Sequence, residues 1–186
     1  MVLRYASVVF VAMLLATVAV LGASAVQPRK AEAAATVPTC AGGTITLADS
    51  EKRSLDLHNQ ARASKGLSRF CVDPALQRAA RAHSKEMIDR DYFSHNSYNG
   101  ETMANRLKRY GYTPRSGRYW TVGENIAFNS LTGTASADKA HSQWMNSTGH
   151  RANILNKNFK QIGIGAFYGN YKGSNGTMWT ANFGSR

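Results

Sequence analysis

The chain has 186 residues, 23 Lys and Arg against 11 Asp and Glu, a formal net charge of +12 and two cysteines. That length suits one domain with a tail, and 43% hydrophobic content is globular rather than disordered. Two cysteines exclude a disulfide-dense scaffold and a four-thiolate zinc site, while the charge calls for nucleic acid, anionic lipid or an anionic wall polymer as partner.

Compartment decides among those partners. Met1 to Gln27 carries one charge, Arg4, ahead of the apolar run VVFVAMLLATVAVLGASA. A basic start, an apolar middle and the small residues Ala23-Ser24-Ala25 predict a signal peptide over residues 1–25, with Ala33-Ala34-Ala35 as a second cleavage site. The alternative is a retained membrane anchor, because the uncharged span from Tyr5 to Gln27 is long enough to cross a bilayer. Either way the remainder is exported, and removing residues 1–25 takes only Arg4 from the charged residues, leaving +11. Export predicts that Cys40 and Cys71 form one disulfide. It also argues against nucleic acid, since the basic residues are scattered with no aromatic-interleaved stripe. An acidic envelope or wall polymer is the expected counterpart, and the chain is expected to be a monomer.

Residues 26–47, rich in Ala, Thr, Gly and Pro without periodicity, read as a linker; the domain is expected over 48–186. Leu47, Ser54, Leu55, His58, Ala61 and Arg62 fall close to one helical face, with Asp49 or Ser50 as cap and Lys65-Gly66 as stop. Asp73-Pro74 starts a second helix whose inner face is Leu76, Ala80, His83 and Met87, ending near Asp91. A polar loop from Ser94 to Gly100 leads to a short helix, Glu101 to Tyr110. Tyr119 to Phe128 has strand composition, Thr132-Gly133-Thr134 opens a fourth helix, and His150 to Asn156 makes one or two further turns. Gln161 to Tyr168 and Thr177 to Phe183 read as strands paired through a Gly/Asn-rich loop. Late, locally paired strands favour an antiparallel sheet with helices on its faces.

On a regular strand, Trp120, Val122, Glu124, Ile126 and Phe128 share a face. A carboxylate in that apolar row must be paired, protonated or held by a metal; alternatively Gly123 turns Glu124 to solvent, or Glu124 staples backbone amides. His95 sits in the polar loop. His150, at the start of a short helix, is expected to have a lowered pKa and a neutral ring able to ligate a metal. His58, His83 and His141 lie on packed helix faces and read as core. No HExxH, GxSxG, phosphate-binding loop, dinucleotide fingerprint or glycosidase carboxylate pair is present.

The segments Leu57-His58-Asn59-Gln60-Ala61-Arg62, Tyr92-Phe93-Ser94-His95, Gly123-Glu124-Asn125-Ile126, Trp144 to Leu155, Ile162 to Ala166 and Trp179 to Gly184 follow one another in that order. Together they resemble the CAP superfamily (cysteine-rich secretory proteins, antigen 5 and pathogenesis-related proteins; SCP-like domains), most closely its compact bacterial secreted branch. The resemblance implies an α+β fold, a three-layer α–β–α sandwich around a central antiparallel sheet, with a cleft lined by two histidines and two acids that binds a divalent metal such as Zn²⁺. It assigns His95, Glu124 and His150 to that cleft, with His95 and His150 as metal ligands. The second acid falls at Ser147, so at most a three-part site remains. His58, Asn59 and Arg62 are expected to tie the first helix to its neighbours. Three functions follow: a secreted binding module for a lipid, peptide or wall component; a metal-dependent peptidase or esterase built on the His-Glu-His set; or a surface structural or adhesive protein. The missing acid weighs against the enzyme.

Overall fold

The Ile-Gly-Ile-Gly and Met-Trp-Thr-Ala-Asn-Phe runs become the two middle strands of a four-stranded sheet. The computed structural model describes residues 34–115 and 120–186; the signal peptide, the alternative anchor and residues 26–33 of the expected linker lie outside them. Along the chain come β1 (Ala34–Pro38), β2 (Thr44–Ala48), α1 (Asp49–Ala63), β3 (Cys71–Val72), α2 (Pro74–Asp89) and α3 (Met103–Arg109). Then follow β4 (Thr121–Asn129), α4 (Gly133–Asn146), α5 (Thr148–Ile154), β5 (Gln161–Tyr171) and β6 (Ser174–Ser185). No helix among the described residues is long and apolar enough to cross a membrane.

The sheet order is β3-β5-β6-β4. β4, β6 and β5 pair antiparallel, as expected, whereas β3 adds a two-residue parallel edge through Cys71↔Gln161 and Val72↔Ile162. The β5–β6 connection is tighter than the sequence suggested. Lys172 and Gly173 both take positive φ (49° and 82°), the two-residue turn that matches strand twist, so pairing runs to Tyr171↔Ser174.

Alternation along the strands builds two cores. Trp179, Ala181 and Phe183 face α1 and α4 with Leu55, Ala137, Ala140 and Trp144. Met178 and Ile126 face α2 with Met87 and Ile88 on the other side, next to a cluster of Leu76, Ala79, Leu107 and Tyr112. This is the expected α–β–α sandwich. Gly163 and Gly165 let α2 lie directly on the sheet: a Cβ there would come within 2.1 Å of the Leu76 carbonyl carbon or 2.4 Å of that of Ala80. Gln77 fills the same contact with its own amide, accepting from Ile164 N at 2.8 Å and donating to Ile164 O.

Helix boundaries follow local chemistry. Asp73 Oδ1 accepts from Ala75 and Leu76 N ahead of Pro74, as expected. α1 departs from expectation: Ala48 is its N-cap, and the Glu51 carboxylate reaches back to Ala48 N at 3.1 Å, so neither Asp49 nor Ser50 caps it. The reciprocal bond from the third turn position replaces a capping side chain.

Part of the expected linker is ordered. β1 and β2 pair as an antiparallel hairpin from Ala34↔Ala48 to Pro38↔Thr44. Its short alternation of Val37, Ile45 and Leu47 buries only Val37 and Leu47, too faint a pattern to stand out. The Cys40–Cys71 disulfide closes as expected, and Cys40 N donates to Val72 O at 2.9 Å, fastening the hairpin beside β3.

Arg62 and Asn59 tie α1 to its surroundings. Arg62, fully buried, donates to Ser68 O, Ile154 O, Asn156 O and Phe159 O. Asn59 bonds both the N–H and the C=O of Phe70.

Candidate functional site

Glu124 sits on β4 in the apolar row, facing α2, and its side chain is 1% exposed. Its environment resolves the sequence alternatives in favour of pairing. Oε2 accepts from Arg106 Nη2 at 2.5 Å and Oε1 from His95 Nδ1 at 2.9 Å. Asn182, its cross-strand neighbour on β6, turns its amide nitrogen to Oε2 at 2.9 Å. His83 Nε2 stands 3.9 Å from Oε1 and is bonded to Ser94 O at 2.9 Å.

Arg106 is the residue that sequence reasoning missed. It is a fully buried guanidinium on α3, and besides Glu124 it holds His95 O (3.0 Å) and Ser97 Oγ (3.1 Å). One side chain therefore neutralises the carboxylate and fixes the loop that presents His95. A usable signal existed: Arg106 falls three residues after Met103, on the stripe α3 turns inward with Leu107. His83 lies on the packed face of α2, as expected of a core histidine. It is buried, yet it touches the Glu124 network, and its Nδ1 has no hydrogen-bond partner among the described residues. Burial lowers its pKa, against the raising influence of Glu124.

His95 keeps Nδ1 on Glu124, which leaves Nε2 free on a side chain 54% exposed. His150 lies in the first turn of α5, which begins two residues earlier than expected. Asn125 Nδ2 holds its carbonyl at 3.0 Å and is held in turn by Asn153 at 2.9 Å. The pKa of His150 is lowered, as expected, but burial is the main cause and the charge of His95 the second.

The expected three-part metal set is not assembled. Among the described residues no group of three or more His, Cys, Asp or Glu is placed to hold a metal. The Glu124 oxygens are already bonded to Arg106, His95 and Asn182, so the His95 Nε2 and the His150 ring are the donors that remain for a divalent ion.

Beside His150 runs a groove of about 450 Å³ along the outer edge of β4. Phe93, Ile126, Phe128, Trp144 and Tyr171 supply its apolar walls, and Gln143, Ser147 and His150 its polar points. Ser147, where the family pattern has its second acid, therefore lines the groove as a neutral hydroxyl. The strand edge does not present bare carbonyls: Trp144 Nε1 donates to Ile126 O and Gln143 Nε2 to Phe128 O, both at 3.1 Å.

Comparison with known proteins accords with this architecture. The model of the cysteine-rich secretory protein (CAP) family matches residues 55–183. The uncharacterised protein YkwD of Bacillus subtilis is 37% identical over 133 residues, covering 72% of this chain and 46% of that protein. The chain spans less than half the length of the curated relatives it matches. An extracellular protein of Bacillus anthracis that contains an SCP domain superposes with a TM-score of 0.58 at 27% identity, over 76% of this chain and 46% of that one. An outer surface protein of Borrelia burgdorferi shares the fold at a TM-score of 0.59 and 16% identity, over 83% of this chain and 99% of its own.

Proposed function

Because the chain belongs to the cysteine-rich secretory protein (CAP) family, we propose that it is a binding module whose cleft takes the apolar part of a lipid, peptide or wall component. Membership makes it a secreted protein, extracellular or associated with the cell wall. The CAP domain carries a ligand-binding cleft; what fills it is the proposal.

One observation carries this reading. Glu124, the acid of the expected site, is spent on Arg106 and His95, while the accessible groove beside His150 is walled by aromatic and aliphatic side chains. A carboxylate already neutralised by a buried guanidinium is a poor general base, because accepting a proton would leave Arg106 unpaired. A groove of this size instead gains affinity from buried apolar surface, about 0.8 kcal/mol per methylene. The neutral His150 ring, Ser147 and Gln143 then offer hydrogen bonds to a polar head.

The test is displacement of a fluorescent long-chain fatty acid, and separately of an extended apolar peptide, from the wild type and from Phe93→Asp. Phe93 is half exposed at the groove mouth, so the substitution leaves the core intact. The expected result is micromolar capture of at least one probe, weakened tenfold or more in the variant at unchanged melting temperature. Absence of capture, or equal capture by both proteins, refutes the reading.

A second reading rests on the 2.9 Å His95–Glu124 contact, since a carboxylate that orients an imidazole is also a hydrolase feature. It requires that His95→Ala abolish ester or peptide hydrolysis without loss of stability.

A further inference from the structure

We infer that a second site, at the opposite end of β4 from the groove, binds the phosphodiester groups of a linear anionic polymer. A depression of about 490 Å³ is lined by Thr121, Lys157, Asn158, Lys160 and Ser185. Two ammonium groups and three neutral polar side chains converge there, and among the described residues no carboxylate or apolar side chain joins them.

The lysines sit on a fixed frame. Lys160 N donates to Gly184 O at 3.0 Å and Lys160 O accepts from Cys71 N at 3.2 Å, so the residue is held from both sides. The preceding turn is closed by Asn158 N on Asn156 Oδ1 at 2.9 Å, and Arg62 grips the carbonyls of Asn156 and Phe159. Lys160 Nζ reaches Ser68 Oγ at 3.2 Å, which brings the loop carrying exposed Lys65 and Arg69 alongside.

The cations that meet at this depression carry no acidic partner of their own among the described residues. Acidic side chains pair with Lys52, Arg53, Arg81, Lys85, Arg106, Arg109 and Arg186. None of Lys65, Arg69, Lys157 or Lys160 forms an ion pair with a described residue. From Lys139 to Arg186 the chain has six Lys or Arg and not one Asp or Glu. Such a patch raises local anion concentration and steers anionic partners to it.

The lining also selects the class of anion. A membrane headgroup would bring acyl chains that find no apolar wall, and a nucleic acid would bring bases that find no aromatic platform. A polyol-phosphate chain, with spaced single charges and hydroxyl groups, meets lysines for its phosphates and Thr121, Asn158 and Ser185 for its hydroxyls. Lys65 and Arg69 extend the track beyond a single phosphate. This inference stands apart from the cleft reading and gives the exported, basic chain a means of staying on a wall.

The experiment measures binding of the exported, disulfide-intact chain to synthetic poly(glycerol phosphate), and to vesicles containing phosphatidylglycerol. Lys157→Gln/Lys160→Gln is compared with Lys139→Gln/Lys172→Gln, which removes the same charge elsewhere. The expected result is a loss of tenfold or more in polymer affinity for the first pair and less than twofold for the second. Equal losses in the two pairs overturn the site in favour of diffuse charge. Vesicle binding as tight as polymer binding, lost in the same variant, overturns the polymer assignment in favour of a membrane surface.

Discussion

Replacing Arg106 with Met leaves the Glu124 carboxylate almost fully buried with neutral partners only. Breaking a buried pair by removing one member typically costs about 3–5 kcal/mol, whereas replacing both is often close to neutral. The hydrogen bonds to His95 O and Ser97 Oγ disappear as well, each worth about 1–2 kcal/mol. Arg106→Met is therefore expected to lose about 4 kcal/mol at pH 7, and Arg106→Met/Glu124→Gln to regain about half of that. Urea unfolding followed by circular dichroism at pH 7, for wild type and the three variants of the cycle, measures this directly. A single variant within about 1 kcal/mol of wild type, or a double variant whose loss equals the sum of the singles, refutes the assignment of Arg106 as the counter-charge.

Acid should destabilise the domain through its histidines. Burial lowers the pKa of His58 to about 3, and the pKa values of His83, His141 and His150 shift the same way. The unfolded chain binds protons first as pH falls below 6.5, so stability drops from there, by about 2 kcal/mol at pH 5 for His58 alone. His58→Gln should flatten the pH dependence of the urea midpoint by that amount, and an unchanged dependence would contradict it. Cys40→Ser/Cys71→Ser opens a link across 31 positions and should cost roughly 3–4 kcal/mol, read by urea unfolding with and without reductant. Gly165→Ala drives a methyl group to 2.4 Å from the α2 backbone and should cost about 3 kcal/mol or more; a wild-type melting temperature would refute the contact.

What the sequence discloses follows the range of the interaction. The Asp73-Pro74 start, the inner face of α2 and the Glu124 row depend on neighbours within a few residues, and all are found as read. The interior placement of Glu124 is one of the alternatives that alternation left open, and the structure takes it because β4 runs on through Gly123 without turning the side chain to solvent. Its partner is another matter: Arg106 lies 18 residues away on a different element, and only folding brings the two together. The same holds for the His83 contact and for the donor network of Asn125 and Asn153 that holds His150. The hairpin over residues 34–48 escaped because its stability comes from the disulfide and from packing beside β3, not from its own composition. The groove is legible only in space, since Phe93, Phe128, Trp144 and Tyr171 share no spacing along the chain.

The central claim is that an apolar ligand segment lies along the edge of β4. Photolabelling the exported chain with a diazirine-bearing acyl chain, followed by peptide mapping, tests it most directly. Label is expected on the segments carrying Phe93, Ile126–Phe128, Gln143–His150 and Tyr171, suppressed by excess unlabelled ligand. Label concentrated instead on the depression formed by Ala48, Arg81 and Phe167, or spread without competition over the surface, would contradict it.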